Sequence, residues 1–296
     1  MRPTSVAWRW CSRVCVTSVI DRTILNFDQL GLTPALLRAV GDMGLFAPTP
    51  IQAEAIPAVL KSADVWATAP TGSGKTLAFA LPLVQQHLLQ PRQTNFRRPI
   101  RTLVLVPTRE LAVQVGDILT NLAYQPGLKV AVVYGGVSIN PQMMGLRGGA
   151  DIVVATPGRL LDLVDHNAVH LANVQHLVLD EADRLLEMGF ADEVSEILRL
   201  APAKRQTLLF SATFPKEIQR LAADFMSNYI FLAVGRVGSS TDLIVQHIEY
   251  VSGEKSAFFA FWRRERKERW KEEFSGAVAA VEEKFQKKLT VFLLQK

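Results

Sequence analysis

The sequence predicts an α/β fold in which a parallel sheet is sandwiched by helices. Three observations carry this. Short apolar runs of strand length recur between residues 65 and 234, stretches of helical periodicity separate them, and Pro, Thr, Ser or Gly announces most helices. Alternation of that kind cannot close as hairpins, because successive strands joined through helices lie parallel. With 296 residues, 49% of them hydrophobic, the chain is long enough to bury one large core or two small domains.

From about residue 32 the chain reads helix, turn, then strand and helix in repetition. Strands are expected at 65–67, 102–106, 130–134, 152–155, 177–179, 207–210 and 230–234. Helices are expected at 77–89, 110–122, 158–164, 193–200 and 216–225. The stretch 90–99, with two Pro and three Arg, is the clearest surface loop. Past Val234 the alternation fails. Residues 235–262 open on a Gly- and Ser-rich, linker-like sequence, and 263–296 interleave Glu with Lys and Arg at the three- and four-residue spacing of a solvated helix. The division expected is a leader at 1–26, one lobe at 27–234, a linker at 235–262 and a charged helical tail at 263–296.

Two segments carry the chemistry. Ala69-Pro70-Thr71-Gly72-Ser73-Gly74-Lys75-Thr76 stands between an expected strand and an expected helix. There, backbone N–H groups of a tight turn can wrap a phosphate at a helix N-terminus, and side chains larger than hydrogen would obstruct the approach. Lys75 supplies charge for the β- and γ-phosphates of a nucleotide and the Thr76 hydroxyl a ligand for Mg²⁺. Ala69 occupies the place of the first Gly of the usual G-x-x-x-x-G-K-[ST] pattern, which is tolerable if its φ stays negative. The second segment, Asp180-Glu181-Ala182-Asp183, follows the apolar run at 177–179. Asp180 is placed to hold Mg²⁺ through its water shell, and Glu181 to orient and deprotonate an attacking water. In open parallel sheets ligands bind beyond the carboxyl ends of the strands, where both segments fall. ATP and Mg²⁺ are therefore the expected cofactors.

Further groups flank these. Gln52, in Pro48-Thr49-Pro50-Ile51-Gln52, has an amide that can pair with the N6 and N7 edge of adenine, and Phe27 has a ring that can lie on the base. Downstream come Pro107-Thr108-Arg109, Gly135-Gly136, Thr156-Pro157-Gly158-Arg159 and Ser211-Ala212-Thr213, each directly after an expected strand. Taken singly, each is also an ordinary turn or helix start. Their order decides. Together with the two segments above, they make residues 27–255 resemble the DEAD-box RNA helicases of helicase superfamily 2.

The resemblance implies a RecA-like P-loop NTPase lobe that binds ATP and RNA. By it, Phe27, Gln52, Thr71, Gly72, Ser73, Gly74, Lys75 and Thr76 bind ATP, Thr76 and Asp180 hold the metal, and Lys75, Asp180 and Glu181 are catalytic. Ser211 and Thr213 would hydrogen-bond toward Asp183 and couple the nucleotide site to RNA. The RNA backbone would lie across Pro107, Thr108, Arg109, Gly135, Gly136, Thr156, Pro157, Gly158 and Arg159, without regard to base sequence. The family works with two lobes, the second bringing a His-Arg-x-Gly-Arg segment that this sequence does not contain. Arginine fingers contribute roughly 10³–10⁵ in rate, so the chain alone is expected to hydrolyse ATP hardly at all without a second lobe or a protein partner. The competing reading is a non-catalytic RNA- and nucleotide-binding regulator derived from such a lobe.

Composition bounds the rest. The net charge is +5, but residues 27–262 carry 19 basic and 21 acidic side chains, so the excess sits at the two ends and any nucleic-acid binding by the lobe must be local. Cys11 and Cys15 have no second Cys pair or nearby His, which fits free thiols in a reducing compartment. His166 and His170 share helical i, i+4 spacing but lack a carboxylate third ligand, so solvent exposure is expected. No apolar run reaches the length of a membrane span, and a soluble intracellular protein is expected, with no membrane partner. The Arg-, Ser- and Thr-bearing leader is compatible with an organellar transit peptide and equally with a flexible extension, so nucleus, cytoplasm and organelle stay open.

Overall fold

The computed structural model describes residues 26–90, 98–124, 127–226, 228–234, 247–251 and 290–294. The chain divides into two compact units, 1–239 and 240–296. In the first, a 3-10 turn at Phe27–Leu30 leads into α1 (Pro34–Asp42) and α2 (Pro50–Leu60). Then follow β1 (Asp64–Thr68), α3 (Lys75–Leu89), β2 (Thr102–Leu105), α4 (Arg109–Ala123), β3 (Val130–Val133), α5 (Ile139–Gly145), β4 (Ile152–Ala155) and α6 (Pro157–Asp165). The unit ends with β5 (His176–Leu179), α7 (Ala182–Glu187), α8 (Ala191–Leu200), β6 (Gln206–Ser211), α9 (Lys216–Phe225) and β7 (Tyr229–Ala233). All seven expected strands are present within a residue or two, and the five expected helices with them.

The strands form one parallel sheet in the order β3-β4-β2-β5-β6-β1-β7. Side chains of a strand alternate between faces, and here the alternation sorts the core into two halves. Val65, Ala67, Val104, Val178, Leu208 and Phe210 face a cluster formed with α1 to α4. Trp66, Leu103, Leu105, Leu177, Leu179 and Leu209 face the cluster formed with α5 to α9. Strands apolar on both faces read as continuous hydrophobic runs, which is why the sequence shows them so plainly.

The chain leaves β1, crosses to β2 and returns through β5 and β6, which are inserted between the two. The carboxyl ends of β1, β5 and β6 are therefore neighbours, and those of β2, β4 and β3 continue the same rim.

The leader, the loop at 91–97 and most of the linker-like and charged stretches lie outside the described residues. Within the second unit, β8 (His247–Val251) pairs antiparallel with β9 (Thr290–Leu294). Residues 247–251 fall within the stretch expected as linker and 290–294 at the end of the one expected as a charged helical tail; the charged residues between them lie outside the described residues. Thr290, Val291 and Phe292 are β-branched or aromatic and favour a pleated surface. Among the described residues, no helix is long and apolar enough to cross a membrane.

Candidate active site

The loop between β1 and α3 needs its glycines. Gly72 and Gly74 have φ of 79° and 92°, the left-handed region. A Cβ at Gly74 would also run into Nε2 of Gln52. Ala69 is not among the positive-φ residues, so the alanine in place of the first glycine carries no backbone strain. Its N–H donates to Ser211 O at 3.1 Å, tying the start of the loop to the end of β6.

Lys75 is buried at the first position of α3, and its Nζ donates to Ala69 O at 2.8 Å. Burial lowers the pKa of its ammonium, while Asp180, then Asp183 and Glu181, pull it back up. The lysine and all three carboxylates thus lie within electrostatic reach of one another. Asp180, at the exit of β5, is 2% exposed, and burial pushes its carboxyl up to about 6 against the opposing pull of Lys75. Its Oδ1 accepts the Glu181 N–H at 3.0 Å. Glu181 adopts φ 48° and ψ 50°, a left-handed conformation a non-glycine residue holds only at a cost of order 1 kcal/mol or more. Glu181 is paired with Arg184 at 3.4 Å, a residue the sequence reading passed over although its i, i+3 spacing signals it.

Asp183 is the junction. Its Oδ2 accepts from Ala212 N (3.1 Å), Thr213 N (2.9 Å) and Thr213 Oγ1 (2.8 Å). Thr213 therefore does what the sequence reading expected, but Ser211 does not. The Ser211 hydroxyl is fully buried at the end of β6 and donates to Thr213 O at 2.8 Å, so it braces the turn while the Ala212 N–H reaches Asp183 in its stead.

Gln52 is 3% exposed; its Nε2 donates to Gly74 O (3.1 Å) and its Oε1 accepts from Thr49 N (3.0 Å). One amide hydrogen and one lone pair remain for a ligand. Phe27 is 5% exposed and packed into the core, so little of its ring is open to a base.

The other half of the rim holds the remaining residues. Thr108 caps α4, accepting from Leu111 N at 3.2 Å, and the Arg109 guanidinium sits 4.9 Å from the centre of the Tyr134 ring. Gly135 and Gly136 are exposed after β3; the Gly135 N–H donates to Thr156 Oγ1 at 3.3 Å and links the β3 and β4 loops. Gly158 and Arg159 lie in the first turn of α6, where backbone donors have no helical acceptor. Arg159 Nη2 donates to Val137 O at 2.7 Å and its Nε lies 3.4 Å from Asp162, while its buried Nη1 has no partner among the described residues. Pro107 and Pro157 are buried and have no N–H, so they shape turns and offer a ligand no backbone donor.

The sequence profile of the DEAD/DEAH box helicases matches residues 49–221, more than half the chain and both halves of this rim. The chain belongs to the DEAD/DEAH box helicase family. It is 49% identical over 248 residues to the DEAD-box ATP-dependent RNA helicase 52A of Oryza sativa subsp. japonica, across 79% of this chain and 41% of that protein. It resembles the crystal structure of a DEAD box protein from Methanococcus jannaschii (TM-score 0.64, 42% identity, 70% of this chain and 55% of that one). It also resembles a hypothetical ATP-dependent RNA helicase from Sulfolobus tokodaii (TM-score 0.62, 37% identity, 69% and 57%). The chain thus spans under half the length of the rice relative. Its first unit has the RecA-like fold of DEAD-box helicase domains.

In this DEAD-box lobe the metal's fit can be judged from the donors. Among the described residues no group of three or more His, Cys, Asp or Glu could hold a metal ion, and His166 and His170 are both exposed. Buried Asp180, with its raised carboxyl pKa, lacks full charge compensation. A single buried carboxylate suits Mg²⁺ that arrives on a polyphosphate with its own waters better than a resident ion.

Proposed function

We propose that this chain is the first, ATP-binding lobe of an ATP-dependent RNA helicase, and that the helicase separates short RNA duplexes locally. The observation that carries the reading is that the glycine loop ending in buried Lys75 and the acidic segment beginning at buried Asp180 leave the carboxyl ends of β1 and β5 at one rim of a parallel sheet, with Asp183 hydrogen-bonded to the loop after β6.

In this reading Gly72 to Gly74 cradle the phosphates and Lys75 exchanges the Ala69 carbonyl for phosphate oxygens. Thr76 and Asp180 would hold the Mg²⁺ carried by ATP, and that ion would supply charge neutralisation on the phosphates. Glu181, held in its left-handed turn, orients and deprotonates water. Gln52 recognises adenine with its remaining donor and acceptor, and Phe27 lines the base side. RNA lies on Thr108, Arg109, Gly136, Gly158 and Arg159, where the guanidinium charges and the first-turn N–H groups of α6 suit phosphate oxygens. Contacts of this kind read the backbone and leave base sequence unread.

The sequence holds no His-Arg-x-Gly-Arg segment, so hydrolysis needs arginines from a second lobe or a protein partner. The test is ATP hydrolysis, with and without single-stranded RNA, by this chain alone and by the chain fused to a second helicase lobe. Near-background turnover alone and RNA-stimulated turnover on fusion are expected. Robust RNA-stimulated turnover by the chain alone contradicts the reading. A fusion that binds ATP and RNA without turnover favours the non-catalytic regulator instead.

A further inference from the structure

Two buried glutamine amides tie distant segments together: Gln52 joins Thr49 to Gly74, and a second does the same from α3. Gln85 lies on α3, the helix that Lys75 and Thr76 begin, and is 5% exposed. Its Oε1 accepts the Thr33 N–H at 2.7 Å and its Nε2 donates to Gly31 O at 2.8 Å. Those two backbone groups flank Leu32, immediately after the 3-10 turn that carries Phe27. Gly31 has φ 78°, so the chain reverses there and the amide grips the reversal from within. The link joins residues 52 and 54 positions apart. Among the described residues, no other side-chain hydrogen bond of residues 26–33 leaves the segment; the Asn26 N–H donates to Gln29 Oε1 within it.

We infer that Gln85 is a positioning residue that fixes the base-side turn carrying Phe27 against the helix that presents Lys75 and Thr76, and so sets preference for the adenine base. The inference rests on the proposed nucleotide reading. A buried amide that satisfies both a donor and an acceptor cannot be replaced by an apolar side chain without orphaning two backbone groups. The turn would then be held by apolar packing alone, which is not directional. Phosphate affinity belongs to the glycine loop and Lys75 and should be spared. Base preference belongs to the turn and should not.

The experiment measures dissociation constants of the full chain for ATP, GTP and inorganic tripolyphosphate, in wild type, Gln85→Leu, Gln85→Glu, Phe27→Ala and the double variant Phe27→Ala/Gln85→Leu. Glu keeps the acceptor for Thr33 and loses the donor to Gly31, so it decides the matter should the Leu variant fail to fold. The inference predicts about tenfold weaker ATP binding for Gln85→Leu, a smaller loss for Gln85→Glu, and tripolyphosphate affinity within about twofold of wild type. It also predicts that the double variant loses no more ATP-over-GTP preference than the worse single variant, because both act through one turn. Equal weakening of ATP and tripolyphosphate, or unchanged base preference in folded Gln85 variants, overturns it. A wild-type chain that binds ATP no better than tripolyphosphate contradicts the nucleotide reading itself.

Discussion

Thr213 gives Asp183 both its backbone N–H and its hydroxyl, at 2.9 and 2.8 Å, on the same carboxylate oxygen. One side chain from the first turn of α7 thereby fixes the loop after β6, and any shift of either is felt by the other. Replacing Thr213 with Val removes the hydroxyl donor and keeps the N–H. A hydrogen bond to a charged acceptor is worth about 1.5 kcal/mol or more, and the urea unfolding midpoint should fall accordingly. Asp183→Ala removes the acceptor of four bonds, three from Ala212 and Thr213 and one from Arg184 N, and should cost more than Thr213→Val; the reverse ranking would show that the bond network is not the link.

Gly74→Ala combines a φ of 92° with a Cβ that meets the Gln52 amide, whereas Gly135→Ala meets nothing within 4 Å and has no positive φ. The first should cost about 1–2 kcal/mol from backbone strain alone and displace Gln52. The second should stay within about 0.5 kcal/mol. Thermal or urea denaturation of the pair checks this, and equal effects would mean that the loop is not held as described.

Acid sensitivity should come from two buried rings at the other end of the sheet. His87 faces Thr102 Oγ1 at 2.8 Å and His176 faces Gln206 Oε1 at 3.1 Å. Burial pushes His87 down to about 3 and His176 down to about 4 from an ordinary 6.5. The unfolded chain therefore binds protons that the folded one refuses. Their contribution is complete above pH 6.5 and is lost as pH falls toward those folded values, by about 2 kcal/mol per ring at pH 5. Urea midpoints should be lower at pH 5 than at pH 7 in wild type, by less than the two rings together because protonation of Asp180, raised to about 6, acts the other way over the same range, and His87→Gln/His176→Gln should remove the rings' share of the drop.

Arg159 should act on RNA through charge alone. Arg159→Gln is expected to weaken binding equally for RNA oligomers of different sequence and to reduce the slope of log affinity against log salt by about 0.7. Fluorescence anisotropy over a salt series measures both. A loss confined to one sequence would mean base readout.

The sheet was legible because its strands are buried on both faces, so 103–105, 152–155 and 177–179 stand out as unbroken apolar runs. The six-residue helix Ala182–Glu187 and Ile139–Gly145, with Pro141 in its first turn, are too short for periodicity to reveal and were absent from the sequence reading. The phosphate loop and acidic pair were legible because their residue types have few other uses in that order. What escaped was anything set by long-range backbone partners. Gln85 is an unremarkable helical residue until Gly31 and Thr33 are folded against it, and nothing local to Ser211 says that its hydroxyl turns toward Thr213 O and away from Asp183. Stacking of Trp66 on Phe214, at 4.6 Å between ring centres, escaped in the same way.

The central claim is that Lys75 and Asp180 serve one bound nucleotide and its metal. Calorimetric titration of ATP, with and without Mg²⁺, into wild type, Lys75→Ala and Asp180→Asn tests it most directly. Wild type should bind ATP more tightly with Mg²⁺, Lys75→Ala should lose about tenfold or more in either condition, and Asp180→Asn should bind ATP but gain nothing from the metal. An Asp180→Asn variant with the full Mg²⁺ enhancement, or a Lys75→Ala variant that binds like wild type, would contradict the account.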